Sequence, residues 1–353
     1  MSDNSEKVSP TLRQIANEAG VALSTVSEAL RGRPGASKAT AKHVRETAER
    51  MGWRPNPLVS AWLSHVRTGQ KPPKHDTLAF LINYRRGAKT LFEDPERYIF
   101  RAYWNGARER AGERGYALEV FNYHELGVSR LARILQNRRI EGIVVAPQGR
   151  TRQNINLDWE RFAAVALGYS VAGLDLHRAA NHHFHTVKLC VEKLRALGYR
   201  RIGLAITRVS NERTSGMFLG AYLGAVHERG LRRLRPFLPD EADVPRDRFL
   251  RWVDREKPEV VMALQVQGRD WLREAGFRFP DDIGYAHLDL PPEDESLDMG
   301  DAGMYQHPES IGATAVDLVT AQIERNERGV PRVPKVSLVE SRWVDGPSVR
   351  EGV

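Results

Sequence analysis

The three imidazoles of His182-His183-Phe184-His185 are the nearest thing to a metal motif in the chain. Two or three imidazoles can ligate zinc, but a ligand set needs its donors to converge, and nothing in the spacing brings His177, His287 or His307 to the run. No metal and no cofactor are expected there. The single cysteine, Cys190, lies in the apolar-patterned stretch 187–194 and reads as a small buried hydrophobe rather than a reactive thiol. Catalytic signatures are missing: no G-x-G-x-x-G follows a candidate strand, and there is neither a P-loop nor a G-x-S-x-G elbow. The chain is therefore not expected to be an enzyme. A different pattern lies near the N-terminus, where Ala16, Gly20 and Val26 fall at the spacing of a helix-turn-helix. Small Ala16 lets a second helix approach, Gly20 supplies a turn that a β-carbon would penalise, and Val26 fills the angle between the helices. The start of the second helix is pushed outward, where its exposed side chains can reach base edges in a major groove.

The elements that must position these residues can be read from capping and periodicity. Thr11 caps a helix over 12–19, whose apolar residues Leu12, Ile15, Ala16 and Ala19 recur at helical spacing, and Gly20 stops it. A second helix over 22–30 turns Val26, Ala29 and Leu30 inward, and a third over 38–51 opens after Ser37 and ends at Gly52. Pro55, Asn56 and Pro57 can start a short helix with content over 58–66, followed by a basic, proline-bearing linker over 67–75. Beyond it, strands at 77–83, 117–121, 142–146, 163–168, 201–207, 259–264 and 283–288 alternate with helices at 97–114, 128–137, 185–197, 218–229 and 268–275. That alternation implies parallel sheets with right-handed crossovers.

Composition agrees with a small head on a larger body. The 353 residues exceed what one small core organises, and the chain is 41% apolar and 28% charged. No stretch approaches the ~20 apolar residues of a membrane span. The N-terminal MSDNSEKVSPTLRQ lacks the apolar core of a secretory signal, so a cytoplasmic, nucleoid-associated protein is expected, with no membrane partner. Of the net charge of +8, most sits at the front: residues 1–75 hold twelve Lys and Arg against six Asp and Glu. Such polarity is the footprint of a polyanion-binding head.

From Thr11 to Trp62, without a gap, the sequence resembles the DNA-binding headpiece of the lactose-repressor (LacI/GalR) family. The resemblance rests on Ile15-Ala16, Ala19-Gly20-Val21, Ser24-Thr25-Val26-Ser27, Ser37 with Thr40, and Gly52-Trp53-Arg54-Pro55-Asn56. It implies that Leu23, Ser24 and Glu28 read bases, that Thr25, Ser27, Arg31 and Ser37 approach phosphates, and that Asn56 belongs to the DNA-contacting exit. Two positions depart from the family. Ala22 stands where a serine cap is usual, a loss of about 1 kcal/mol unless a neighbour substitutes. Glu28 stands where arginine is usual; a carboxylate cannot grip guanine bidentately but can accept from the cytosine amino group, so a changed operator is expected. The family's minor-groove wedge falls on Trp62, with Leu63 beside it as the other candidate.

The resemblance continues, more weakly, through the body: Gly198-Tyr199 to Ile202-Gly203, the stretch Gly276 to Asp289, Tyr305-Gln306, and Leu338 to Trp343. The implied fold class is an N-terminal all-α helix-turn-helix headpiece and an α/β effector domain of two Rossmann-like, periplasmic-binding-protein-like lobes. The expected division is 11–54 for the head, 55–76 for hinge helix and linker, and 77–345 for effector binding and dimerisation. Lobe 1 is expected over 77–177 and 302–328, and lobe 2 over 178–300 and 330–345. Where the family often carries a ligand-gripping arginine this chain has Phe218, and Gln265 stands near a position often held by Asp. A neutral effector, such as a sugar, is expected among Tyr84, Phe218, Gln265, Asp289 and Gln306. The expected function is an effector-controlled, operator-binding repressor acting as a homodimer on palindromic duplex DNA. The alternative is a catalytic α/β protein acting on a sugar or nucleotide, with a fused DNA-binding head.

Overall fold

The computed structural model describes residues 12–30, 37–51, 76–85, 87–93, 98–148, 155–171, 173–240, 244–264, 267–291 and 300–351. The chain divides into two compact units, Met1–Pro73 and Lys74–Val353.

In the first unit, α1 (Leu12–Ala19), α2 (Leu23–Leu30) and α3 (Lys38–Arg50) close around Ile15, Ala16, Ala19, Val26, Ala29, Val44 and Ala48. All seven are buried, and four of them are alanines, so the helices approach closely on a core of small volume. Gly20 has φ of +63° with open space around its Cα, so conformation and not crowding requires glycine there. The Ser37 hydroxyl caps α3 by accepting from the Thr40 N–H at 3.1 Å. Arg45 Nε donates to the Ala29 carbonyl at 3.2 Å and ties α3 to the end of α2.

The second unit holds two sheets. Its elements are β1 (Asp76–Ile82), α4 (Ala88–Glu93), α5 (Tyr98–Glu113), β2 (Tyr116–Asn122), α6 (Tyr123–Leu126), α7 (Val128–Asn137), β3 (Gly142–Val145), β4 (Ala163–Leu167) and β5 (His177–Asn181). There follow α8 (His183–Ala196), β6 (Ile202–Ile206), α9 (Arg208–Arg213), α10 (Met217–Glu228), α11 (Arg246–Glu256), β7 (Val260–Leu264), α12 (Gly268–Glu274), β8 (Gly284–His287), β9 (Ala302–Tyr305), α13 (Pro308–Arg325), β10 (Val336–Val339) and β11 (Arg342–Val344). The first sheet runs β10-β5-β4-β3-β1-β2, all parallel. The second runs β11-β9-β8-β7-β6, parallel except for β11 against β9.

The inner strands are apolar on both faces because helices cover both. In the first sheet, Leu78, Phe80, Ile82, Val144 and Val165 face α5 and α13, while Ala79, Leu81, Ile143 and Val145 face α7. In the second, Leu204, Val260 and Met262 face α8 and α10, and Ala205, Val261 and Tyr285 face α11 and α12. Cys190 is fully buried in this core, and burial pushes its thiol pKa up.

The chain crosses between lobes at β5–α8, β9–α13 and β10–β11. Thus 178–181 and 336–339 belong to the first sheet and 302–305 to the second, against the lobe limits expected from the sequence. Strand alternation shows where strands lie, but it does not show which sheet a four- or five-residue strand joins before the chain crosses. A buried polar knot holds two of the crossings together. Asn181 Nδ2 donates to the Val339 carbonyl at 3.1 Å and to Ser341 Oγ at 2.8 Å, and Thr186 Oγ1 pairs with both Asn181 Oδ1 and Ser341 Oγ at 2.8 Å.

Candidate functional site

In the first unit the candidate site is the outer face of α2. Val26 and Ala29 turn inward and are buried, which leaves Leu23, Ser24 and Glu28 outward at helical spacing. Leu23 is 46% exposed, a large apolar side chain kept at the surface of a three-helix unit whose core is otherwise small. Ser24 is exposed, and Thr25 and Glu28 are half-buried. Ser27 lies on the same helix. Ala22 accepts from the Val26 N–H at 3.1 Å, so a methyl group stands at the N-cap of α2. Ser37 is exposed at the N-terminus of α3, an end whose free N–H groups favour anions. Arg31, Asn56, Trp62 and Leu63 lie outside the described residues.

In the second unit the site is the crevice where the carboxyl ends of both sheets face each other, the place where open α/β sheets bind ligands. A cavity of about 140 Å³ lies there. Lobe 1 contributes Phe100 and Tyr103 from α5, with Tyr169 and Ser170 after β4; lobe 2 contributes Ser210 and Arg213 from α9, Phe218 from α10 and Asp289 after β8. His183 and Gln306 enter from the crossings themselves. The Tyr98 hydroxyl donates to the Asp289 carbonyl at 2.9 Å and so joins the lobes beside the cavity.

Two cavity-lining groups carry unused hydrogen-bonding capacity. His183 Nδ1 and Asp289 Oδ1 are buried with no hydrogen-bond partner among the described residues. Burial, with a smaller contribution from the neighbouring His182, pushes the His183 pKa down to about 4, so the imidazole is neutral at physiological pH. Burial pushes the Asp289 carboxyl up to about 7, against a hydrogen bond from Tyr98. Unpaired buried polar atoms cost free energy unless something meets them, so both atoms can accept or donate to a polar group entering the cavity. The aromatic wall is continuous: His183 lies 4.9 Å from the Phe218 ring and 6.0 Å from that of Tyr169.

Of the five effector residues expected from the sequence, Phe218, Asp289 and Gln306 line the cavity. Gln306 is buried and already donates to the Leu288 carbonyl at 2.7 Å. Tyr84 is not among the lining residues, a correction with a local cause. Its backbone is clasped by Asn122, which accepts from the Tyr84 N–H at 3.1 Å and donates to its carbonyl at 2.7 Å, drawing the segment toward the β2 edge. Gln265 lies outside the described residues. The sequence reading missed His183 and Arg213. In the sequence His183 reads as one imidazole of a run without a convergent partner, and Arg213 sits on α9, a six-residue helix too short to show a period.

Comparison with known proteins follows the same division. Residues 11–56 match the family of bacterial regulatory proteins, lacI family, and residues 191–349 match the periplasmic binding protein-like domain. The HTH-type transcriptional regulator KdgR of Bacillus subtilis (strain 168) is 22% identical over 337 residues, covering 91% of this chain and 93% of that protein. The transcriptional regulator CelR in complex with cellobiose superposes with a TM-score of 0.60 at 18% identity, covering 96% of this chain and 99% of the other. The lac repressor dimer bound to operator and the anti-inducer ONPF gives 0.56 at 17% identity, covering 98% and 100%. Among the described residues, no helix is long and apolar enough to cross a membrane.

Proposed function

We propose that this chain, whose residues 11–56 match the lacI family of bacterial regulatory proteins, is a transcriptional repressor whose grip on a palindromic operator is set by a small neutral sugar in the interlobe cavity. The observation that carries the reading is the face of α2, where Leu23, Ser24 and Glu28 stand outward on a helix anchored by Val26 and Ala29. One such helix reads a half-site, so two copies of the chain related by a twofold axis fit a twofold operator. Phosphate contacts from the basic head fix the register, and the outward side chains on α2 read the bases.

The cavity supports the effector half of the reading. Asp289 Oδ1 and His183 Nδ1 offer polar partners for hydroxyl groups, while Phe218 and Tyr169 offer ring faces for the apolar side of a sugar. Cellobiose in the CelR complex is a precedent within the fold. Occupancy of a cleft walled by both lobes favours one lobe angle over another, and a head that binds DNA differently at the two angles converts that preference into a change of operator affinity. The test is selection of bound duplexes from a random pool by the full-length protein, with and without a panel of neutral and acidic sugars. A twofold-symmetric consensus released by one neutral sugar, itself recovered unchanged, is the expected result. No preference among duplexes, or tight response only to a phosphorylated or carboxylated compound, overturns it.

A further inference from the structure

We propose that His182, His185 and Glu340 form a binding site for a divalent transition metal of the zinc class, set across two of the three lobe crossings. Their candidate ligand atoms all lie within 4.8 Å of one another. His182 Nδ1 is 2.7 Å from one Glu340 carboxylate oxygen, and His185 Nδ1 contacts the other. The imidazoles face the same way because His182 is the N-cap of α8 and His185 lies in its first turn, three residues on. Their rings are 5.4 Å apart and inclined by 35°.

Glu340 reaches them from the separate crossing between β10 and β11, and the approach is fixed from both sides. The His182 N–H donates to the Val339 carbonyl at 2.9 Å, and Ser341 is locked into the Asn181–Thr186 knot. The backbone segments that carry the donors are therefore fixed before any ion arrives, which lowers the ordering cost of binding one. Two imidazole nitrogens and one carboxylate oxygen form the donor set of an open zinc site, with a fourth position for water; calcium and magnesium favour oxygen ligands. The competing role for Glu340 is to place a negative charge at the N-terminus of α8, whose first turn holds no acidic residue. That role needs a carboxylate but neither imidazole, so the variants below separate the two.

An ion held here cross-links the segment around 182 to the segment around 340, both of which run from lobe 1 to lobe 2. Occupancy then stiffens the crossings on which the effector response turns. This consequence rests on the effector reading, whereas the site itself does not. The experiment is calorimetric titration of the chelator-stripped, full-length protein with zinc chloride. One zinc per chain is expected, with affinity falling at least about tenfold in His185→Gln and in Glu340→Gln and unchanged in His124→Gln, an exposed histidine elsewhere. His185→Gln keeps the Glu340 carboxylate at the helix end, so loss of that helix-end charge does not account for its fall in affinity. Absence of zinc binding by the parent protein, or equal binding by the two ligand variants, overturns the site. Amide exchange at 181–186 and 339–342, slowed by zinc, reads the stiffening separately; a protein that binds zinc but ignores every sugar faults the effector reading alone.

Discussion

Asp289 is a carboxyl group whose ionisation is set by burial. Its folded-state pKa is raised from the ordinary 3.8 to about 7, so the native state holds a proton that the unfolded chain has already released. Unfolding then releases a proton throughout the interval, and stability falls as pH rises from the unfolded value toward the folded one. Asp289→Asn removes the ionisation. The expected outcome is a melting temperature for the body that exceeds the parent's more at about pH 8 than at about pH 5. A constant difference across that range means that the carboxyl is not held protonated. On α2, Glu28 makes the sharper claim about specificity. Its carboxylate is an acceptor suited to the cytosine amino group, while arginine at the same place would favour guanine. Glu28→Arg is expected to shift the selected half-site at one base pair, by about 1–3 kcal/mol of discrimination, and an unchanged consensus refutes base reading by this residue.

Among the elements, α5 and α13 are packed backbone to backbone. A β-carbon on Gly312 would sit 2.1 Å from the Tyr103 carbonyl oxygen, and one on Gly106 would sit 2.0 Å from that of Glu309. Neither neighbour is a flexible side-chain tip, so the helices must separate to admit a methyl group. Gly312→Ala is expected to cost about 1–3 kcal/mol in denaturant unfolding despite alanine's better helix propensity. The same helix shows where sequence reading stopped. The apolar stripe of α13 uses Gly312, Ala315 and Thr320 beside Val316 and Val319, and such small and β-branched residues weaken the helical signal that packing supplies in the folded chain. The edge strand β10 went unread because only half of its residues are covered. By contrast the three head helices and seven strands, β1 to β4 and β6 to β8, were legible from caps, Gly20 and apolar runs, whereas the short inner strands β5 and β9 were not. The cleft was legible only in part: Phe218 opens a read helix, Asp289 follows a read strand and Gln306 came through the family resemblance, whereas the meeting of His182 and His185 with Glu340 spans more than 150 residues and only the folded chain brings it about.

At the scale of the whole molecule, charge and function are divided along the chain in the same way. Residues 1–75 carry twelve cationic side chains against six anionic ones, while the remaining 278 residues hold most of the anions. Association with a polyanion is then governed by the head, because each phosphate that a Lys or Arg neutralises releases counterions and makes affinity fall with salt. A protein making 6–10 phosphate contacts loses roughly 10³–10⁵ in affinity between ~50 and ~200 mM salt. Operator affinity measured by fluorescence anisotropy is expected to fall within that range. Arg31→Ala should weaken operator and random duplex alike and reduce the logarithmic salt slope by about one per chain. Glu28→Arg, by contrast, should change the preferred sequence while Arg31→Ala leaves it alone. If Arg31→Ala instead altered the consensus and left the slope intact, the assignment of positioning and reading to separate side chains of the head would be wrong.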